Sequence, residues 1–349
     1  MTPARAELGA APTSEAELEE RLSRPTPAVI RTLSARPGDV IVLGASGKMG
    51  PTLARMARRA LDEAHSSSRV IAVSRFSSSG AERALGDSRI ETIRCDLVDR
   101  EAVSRLPDAP NVIFMAGQKF GTSGSPAVTW GMNTIAPAIA AERYAGSRIV
   151  AFSTGNVYAL TPTGSGGSRE GDPLGPTGDY AMSCVGRERV LEYLSIRHGT
   201  AMAIARLNYA VDLRYGVLVD VASKIFRGEP VDVRMGHANV IWQGDASARA
   251  IECLAHAASP PFIINITGAE TISIREMARR FGELFGKPAR VEGVESPDAL
   301  LSNAARSLAL FGTPTVAVEQ LVQMVAEWIS SGGRLLGKPT HFEQRDGAF

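Results

Sequence analysis

The residues Val40-Ile-Val-Leu-Gly44-Ala-Ser46-Gly47-Lys48-Met49-Gly50 run from an apolar strand into the spacing GxxGxxG, and Pro51-Thr-Leu-Ala-Arg-Met-Ala-Arg-Arg-Ala continues with helical character. Glycines at these steps permit a tight turn, let backbone N–H groups approach a pyrophosphate, and bring the helix close against the strand. The anion then sits at the helix N-terminus. Pro51 falls in the first helical turn, where its missing N–H costs little. A glycine-rich turn without a ligand is the competing reading. The strand–loop–helix context favours nucleotide binding and commits this part of the chain to a βα unit.

Further units follow. Apolar stretches at 40–43, 69–73, 111–115 and 148–152, with a short strand near 90–94, are separated by helical stretches at 48–64 and 126–145. A loop rich in Gly, Ser and Pro from Thr161 to Gly178 leads into a helix over 179–198 and a strand over 201–206. Strands alternating with helices give a parallel, doubly wound sheet, here of about six or seven strands. Beyond Arg206 the alternation weakens, with helices at 245–257, 273–286 and 315–331 and strands near 262–266 and 290–294. The expected organisation is an N-terminal helical arm (1–37, broken at Pro25 and Pro27), a nucleotide-binding domain (38–206, with 240–258 returning to it), a smaller C-terminal α/β lobe (207–239 and 259–332) and a tail (333–349).

Composition narrows the partners. Against 37 acidic residues stand 38 basic ones, so a net charge of +1 gives no general attraction to nucleic acid or an anionic membrane, and any anion site must be local. Cys95, Cys184 and Cys253 are odd in number and widely spaced, which argues against a disulfide framework or a zinc site and for a reducing compartment. His198, His237 and His341 have no metal-ligand spacing, so no metal is expected. The first residues lack the pattern of a signal peptide, and no apolar run approaches a membrane span, so a cytoplasmic protein is expected.

The second strand ends in Ser74-Arg75, where NAD-binding domains commonly place Asp or Glu for the adenosine ribose. Arg75 suits a 2′-phosphate and Ser77 to Ser79 add donors, which favours NADP over NAD; a solvated surface arginine is the alternative.

Three more motifs complete a pattern: Phe152-Ser-Thr154-Gly-Asn156-Val-Tyr158 after an apolar strand, Tyr180-Ala-Met-Ser-Cys184 opening a helix, and Asn133 in Trp-Gly-Met-Asn-Thr. With the glycine loop, Asp96 in Cys-Asp-Leu97, Arg206-Leu-Asn208-Tyr209 and Asp245, they resemble the extended short-chain dehydrogenase/reductase superfamily, in its branch of NAD-dependent epimerases and dehydratases. The resemblance covers roughly residues 38–330. It implies a Rossmann-type domain with a smaller substrate lobe and a nucleotide-sugar-like small-molecule substrate. It also implies a homodimer formed through two helices of the first domain, one of them 179–198. It places Gly44, Ser46, Gly47, Lys48, Met49, Gly50, Asp96, Leu97 and Ala116 along the cofactor, and makes Thr154 the hydroxyl that orients the reacting oxygen. Tyr180 becomes the acid/base beside the cofactor, and Asn133 supports the helix behind the site.

One position departs from the pattern: the family's YxxxK lysine is Cys184 here. A tyrosine of pKa near ~10 is only about one part in a thousand ionised at pH 7, a deficit of roughly 4 kcal/mol that a thiol cannot offset. Arg187, at i+7 from Tyr180, reads either as a substitute cation on the same helix face or as a surface ion pair. Lys119, after the fourth strand, lies where ligands of open sheets bind, or is simply solvated. Cys184 itself reads more readily as a small buried hydrophobe than as a nucleophile. On the substrate side Asn208, Arg214 and Tyr215 are candidates, with an interdomain tie the other role for the last two. The tail has no legible role. The expectation is an NAD(P)-dependent epimerase, dehydratase or oxidoreductase; the alternative is a catalytically silent NAD(P)-binding sensor or scaffold.

Overall fold

A computed structural model describes residues 11–77, 79–119 and 124–347. Its centre is a parallel sheet of seven strands: β1 (Val40–Leu43), β2 (Val70–Ser74), β3 (Glu91–Arg94), β4 (Asn111–Phe114), β5 (Arg148–Thr154), β6 (Met202–Leu207) and β7 (Phe262–Ile266). Their order across the sheet is β7-β6-β5-β4-β1-β2-β3. The inner strands are buried on both faces, which is why they read as unbroken apolar runs. One expectation is corrected here. The strand over 262–266, expected in the smaller lobe, pairs along its whole length with β6, from Phe262 opposite Ala203 to Ile266 opposite Leu207, and forms an edge of the large sheet.

Some helices pack on the two faces of the sheet and others build the smaller lobe. Below, α1 is Glu15–Leu22, α2 is Pro27–Ala35, α3 is Gly50–Glu63, α4 is Gly178–His198, α5 is Val217–Arg227, α6 is Gln243–Glu252, α7 is Ile274–Phe285 and α8 is Val318–Ser330. The helical stretch over 126–143 contains one π turn, Gly131–Ile135, which carries Asn133. π turns frequently sit at functional sites. Helices α5, α7 and α8 form a second core with the short ribbons of the smaller lobe; Phe281, Leu321, Val322 and Val325 are buried in it.

The arm is a brace. Leu18 and Leu22 of α1 are buried in the core of the smaller lobe, whereas Val29 and Leu33 of α2 pack into the sheet domain. Glu19 accepts from Arg55 of α3 and from Arg214 of the smaller lobe, each at 2.7 Å. The C-terminal tail is likewise ordered through Gly347. Thr340 donates its backbone N–H and its hydroxyl to Asp220 of α5, at 2.8 and 2.6 Å, Phe342 is buried, and Arg345 pairs with Asp298 at 2.5 Å.

Candidate active site

A cleft of about 530 Å³ opens beyond the carboxyl ends of β1, β4, β5 and β6, between the sheet domain and the smaller lobe. This is where an open α/β sheet places its ligands. Its floor is the glycine loop, with Gly44, Ser46, Gly47, Lys48 and Met49 all lining it.

Two of the glycines are dictated by close approach. Gly44 has φ +92°, and a Cβ there would lie 2.5 Å from the backbone N of Ala116; a Cβ on Gly50 would lie 2.3 Å from the carbonyl oxygen of Ala45. The loop is therefore drawn against the end of β4, and α3 starts directly on it. No side chain caps the start of α3 at Met49, so its first N–H groups point along the loop without a side-chain acceptor. That donor set at a helix N-terminus fits a dinucleotide pyrophosphate. Ser46 is hydrogen-bonded to Ser74 at the end of β2, tying the loop to the edge where an adenosine ribose would be read.

The side toward the ends of β2 and β3, where the sequence leads one to expect an adenosine, is more open. Arg75 is exposed and Asp96 accepts from the N–H of Val98 at 3.3 Å; neither lines the cleft. Leu97 is buried in the core on that face. Ser78 lies outside the described residues.

The opposite wall holds the Thr154–Tyr180 pair. Thr154 ends β5, and its hydroxyl accepts from the side chain of Asn156 at 2.9 Å. Tyr180, in the first turn of α4, hydrogen-bonds with Thr154 and with Cys184. Burial pushes the phenol well above its ordinary pKa, while Arg187 and the bond to Thr154 pull it down. Cys184 is fully buried beside Val157 and Tyr158, and burial raises its thiol, so its environment is that of a small hydrophobe and not of a nucleophile.

Both substitute cations expected from the sequence line this cleft. Arg187 is buried: its Nη2 donates to Asn133 Oδ1 at 2.6 Å and its Nη1 to the carbonyl of Phe152 at 2.7 Å. A Cβ on Gly117 would lie 2.6 Å from Nη2, so glycine there makes room for the guanidinium. Of its two readings, the surface ion pair is excluded. Asn133 also donates to Gln118 O and to Ser183 Oγ and accepts from Gln118 N, and thereby clamps the loop after β4 to α4. From that loop, Lys119 reaches the ring of Tyr180, with Nζ 5.9 Å from its centroid, and donates to the carbonyl of Thr340 at 3.3 Å. Burial lowers its pKa to about 8.

Of the substrate-side candidates, Asn208 and Tyr215 line the cleft and Arg214 does not. The guanidinium of Arg214 is committed to Asp212 and Glu19, so it is the interdomain tie. Tyr215 packs instead under Lys48, whose Nζ lies 3.3 Å from the ring centroid. Sequence reasoning missed Asn156, Tyr209, Gln243, Lys338 and Thr340, all of which line the cleft. Asn156 stands inside the Thr154 motif and was within reach of the argument. Tyr209 has φ +44°, a strained conformation that no local pattern announces. Lys338 and Thr340 arrive from the far end of the chain.

A buried network fixes α4 against the sheet. Glu188 receives Arg206 Nη2 at 2.7 Å and the hydroxyl of Ser153 at 2.5 Å, and Arg206 also donates to Tyr158, which donates to Asn265. Among the described residues there is no cluster of His, Cys, Asp or Glu that would hold a metal, and no helix is long and apolar enough to cross a membrane.

A comparison with curated proteins finds no match to this sequence. Solved structures show the fold. UDP-glucose 4-epimerase from Thermotoga maritima, solved with UDP-glucose, superposes with a TM-score of 0.68 at 18% identity, covering 84% of this chain and 99% of the other. The dTDP-glucose 4,6-dehydratase of Streptomyces venezuelae, with NAD bound, gives 0.71 at 17% identity, covering 84% and 97%. UDP-glucose 4-epimerase from Thermus thermophilus, in complex with NAD, gives 0.67 at 20% identity, covering 83% and 98%. The family model that matches residues 40–211, from the first strand to the start of the second lobe, is that of the NAD dependent epimerase/dehydratase family, which this part of the chain resembles in sequence as well as in fold.

Proposed function

We propose that this chain is an NADP- or NAD-dependent enzyme that acts on a hydroxyl or ketone of a sugar or nucleotide-sugar-like small molecule, by epimerisation, dehydration or net redox. The observation that carries the reading is that Thr154 and Tyr180 meet on the cleft wall facing the glycine loop, with Lys119 against the Tyr180 ring. A nicotinamide dinucleotide supplies hydride acceptance and return when bound. Thr154 holds the substrate oxygen; Tyr180 takes the hydroxyl proton when that carbon is oxidised and returns it on reduction. Arg187, which pulls the phenol pKa down, and Lys119, whose ammonium faces the Tyr180 ring, supply positive charge in place of the family lysine.

NADP is favoured because β2 ends in Ser74-Arg75 without a carboxylate. A sugar-like substrate is supported by the nucleotide-sugar enzymes that share the fold. The three cysteines are free and buried, in keeping with a reducing cytoplasm. A homodimer is supported by the exposed Val128, Trp130, Ile135, Met182, Tyr193 and Ile196, which stand on the stretch 126–143 and on α4.

A second reading, a silent NAD(P)-binding sensor, is favoured by Cys184 at the lysine position and by the upward shift of Tyr180. Titration of NAD, NADP and their reduced forms into wild type and Arg75→Ala, followed by a hydride-transfer screen on sugar ketones with wild type and Tyr180→Phe, separates the two. The enzyme binds NADPH, loses about tenfold in affinity in Arg75→Ala and loses transfer but not binding in Tyr180→Phe. Binding with no transfer to any carbonyl leaves the sensor, and no binding of any form refutes both.

A further inference from the structure

We propose that the C-terminal strap, residues 336–347, is a working wall of the cleft in which Thr340, latched to Asp220, is the positioning residue that holds Lys119 against the ring of Tyr180. The role rests on the reading of Tyr180 as the acid/base.

The strap crosses from the smaller lobe to the sheet domain. It begins beyond α8, where Leu336 N donates to Arg214 O at 3.1 Å. Thr340 then hangs on α5: its N–H and its hydroxyl both donate to Asp220 Oδ2, at 2.8 and 2.6 Å, and the same hydroxyl accepts from Phe342 N at 3.2 Å. Phe342 is buried in the core of the smaller lobe. The far end of the strap meets the start of α4. A Cβ on Gly347 would lie 2.1 Å from the carbonyl oxygen of Thr177, and one on Gly178 would lie 2.6 Å from the carbonyl oxygen of Gly347. Two glycines thus let the strap touch the backbone just ahead of Tyr180.

Between these anchors Thr340 lines the cleft, and its carbonyl accepts from Lys119 Nζ at 3.3 Å. Lys119 Nζ in turn lies 5.9 Å from the centroid of the Tyr180 ring. Thr340 is only 2% exposed, so it offers a fixed acceptor and not a solvated one. That matters because a cation delivered from a loop has no helical register to the tyrosine, unlike a lysine four residues along the same helix, and a lysine side chain has many rotamers. The strap supplies the missing restraint. It also supplies charge: burial lowers the pKa of Lys119 to about 8, and the carboxylates of Glu343 and Asp220 are among the groups that oppose this.

NMR of the full chain labelled at lysine Cε tests the role without a substrate. The chain has five lysines, Lys119 is assigned by its loss in Lys119→Met, and Lys287, held 4.1 Å from the centroid of the Phe226 ring, reports that the smaller lobe stays folded. Removing a carboxylate that acted by charge alone would lower the Lys119 pKa further, whereas releasing the strap frees the ammonium from burial and raises it. In Asp220→Ala and in Thr340→Val the Lys119 pKa should rise from about 8 by about one pH unit or more, with Thr340→Ser close to wild type. A fall or no change, with Lys287 at its native shift, overturns the role; if Asp220→Ala disturbs Lys287, Thr340→Val decides. In hydride-transfer assays Thr340→Val should lower kcat at least about tenfold, leave the Kd for NADPH within about twofold, and add nothing to Lys119→Met. Full additivity with Lys119→Met overturns the role. Absence of transfer in wild type refutes the acid/base reading of Tyr180 instead, and the lysine signals still decide whether the strap holds Lys119.

Discussion

The ammonium of Lys119 lies 5.9 Å from the centroid of the Tyr180 ring, brought there from the loop after β4 and not from the helix that carries the tyrosine. Lys119 thus approaches the tyrosine from a loop, whereas Arg187, the cation that pulls the phenol down, stands on α4 itself. Replacing Lys119 by Met should lower kcat by about 10²–10³-fold with the cofactor Kd nearly unchanged. The pH–rate profile should also move, because loss of a nearby cation raises the phenol further. In the direction that needs phenolate, the rising limb shifts to higher pH, and Lys119→Arg restores it. An unshifted profile in Lys119→Met would remove Lys119 from the acid/base machinery.

Arg187 should matter to folding as well as to Tyr180. Truncation to Ala strips the carbonyl of Phe152 and the side chain of Asn133 of a buried charged donor. The expected cost is about 2–4 kcal/mol, read as a lower urea midpoint at unchanged m-value.

Glu188→Ala leaves Arg206 buried without its carboxylate partner. Breaking such a pair costs about 3–5 kcal/mol, more than the pair itself contributes relative to apolar packing. Equilibrium denaturation should show this, and the double variant Glu188→Leu/Arg206→Met should recover much of the loss.

Lys48 links stability to pH. Its folded pKa, lowered to about 7, lies below its unfolded value near ~10.4, so between these values the unfolded chain binds more protons and stability rises with pH. The penalty is fully present below about pH 7 and relieved towards about pH 10. The difference in unfolding free energy between Lys48→Met and wild type should therefore be largest at pH 6 and shrink on raising the pH to about 9. A difference that grows with pH would contradict the assignment.

The sheet domain was legible because its signals are local. Doubly buried strands read as apolar runs, the glycine loop advertises its turn, and Thr154 and Tyr180 carry their motif in short segments. The helix over 179–198 differs by one residue from the observed Gly178–His198. What escaped depends on distant contacts. The strand at 262–266 has the same composition whether it joins a small lobe or the edge of a large sheet, and only its pairing with β6 decides. The sequence around Arg214 favours a ligand contact slightly over a tie until Glu19, 195 positions away, is brought to it. Lys338 and Thr340 sit in a polar tail with no periodicity, so nothing nearby could announce that Asp220 and a buried Phe342 would fold them over the cleft.

The N-terminal arm has a kinetic consequence. Glu19 grips α3, which carries the glycine loop, and through Arg214 the lobe on the other side of the cleft, while Leu18 and Leu22 bury themselves in that lobe. A clamshell motion about the junction would have to break these contacts together. With both jaws of the cleft tied through the arm, ligand capture is expected to behave as simple second-order docking, and stopped-flow binding should show an observed rate that climbs in proportion to ligand concentration without a plateau.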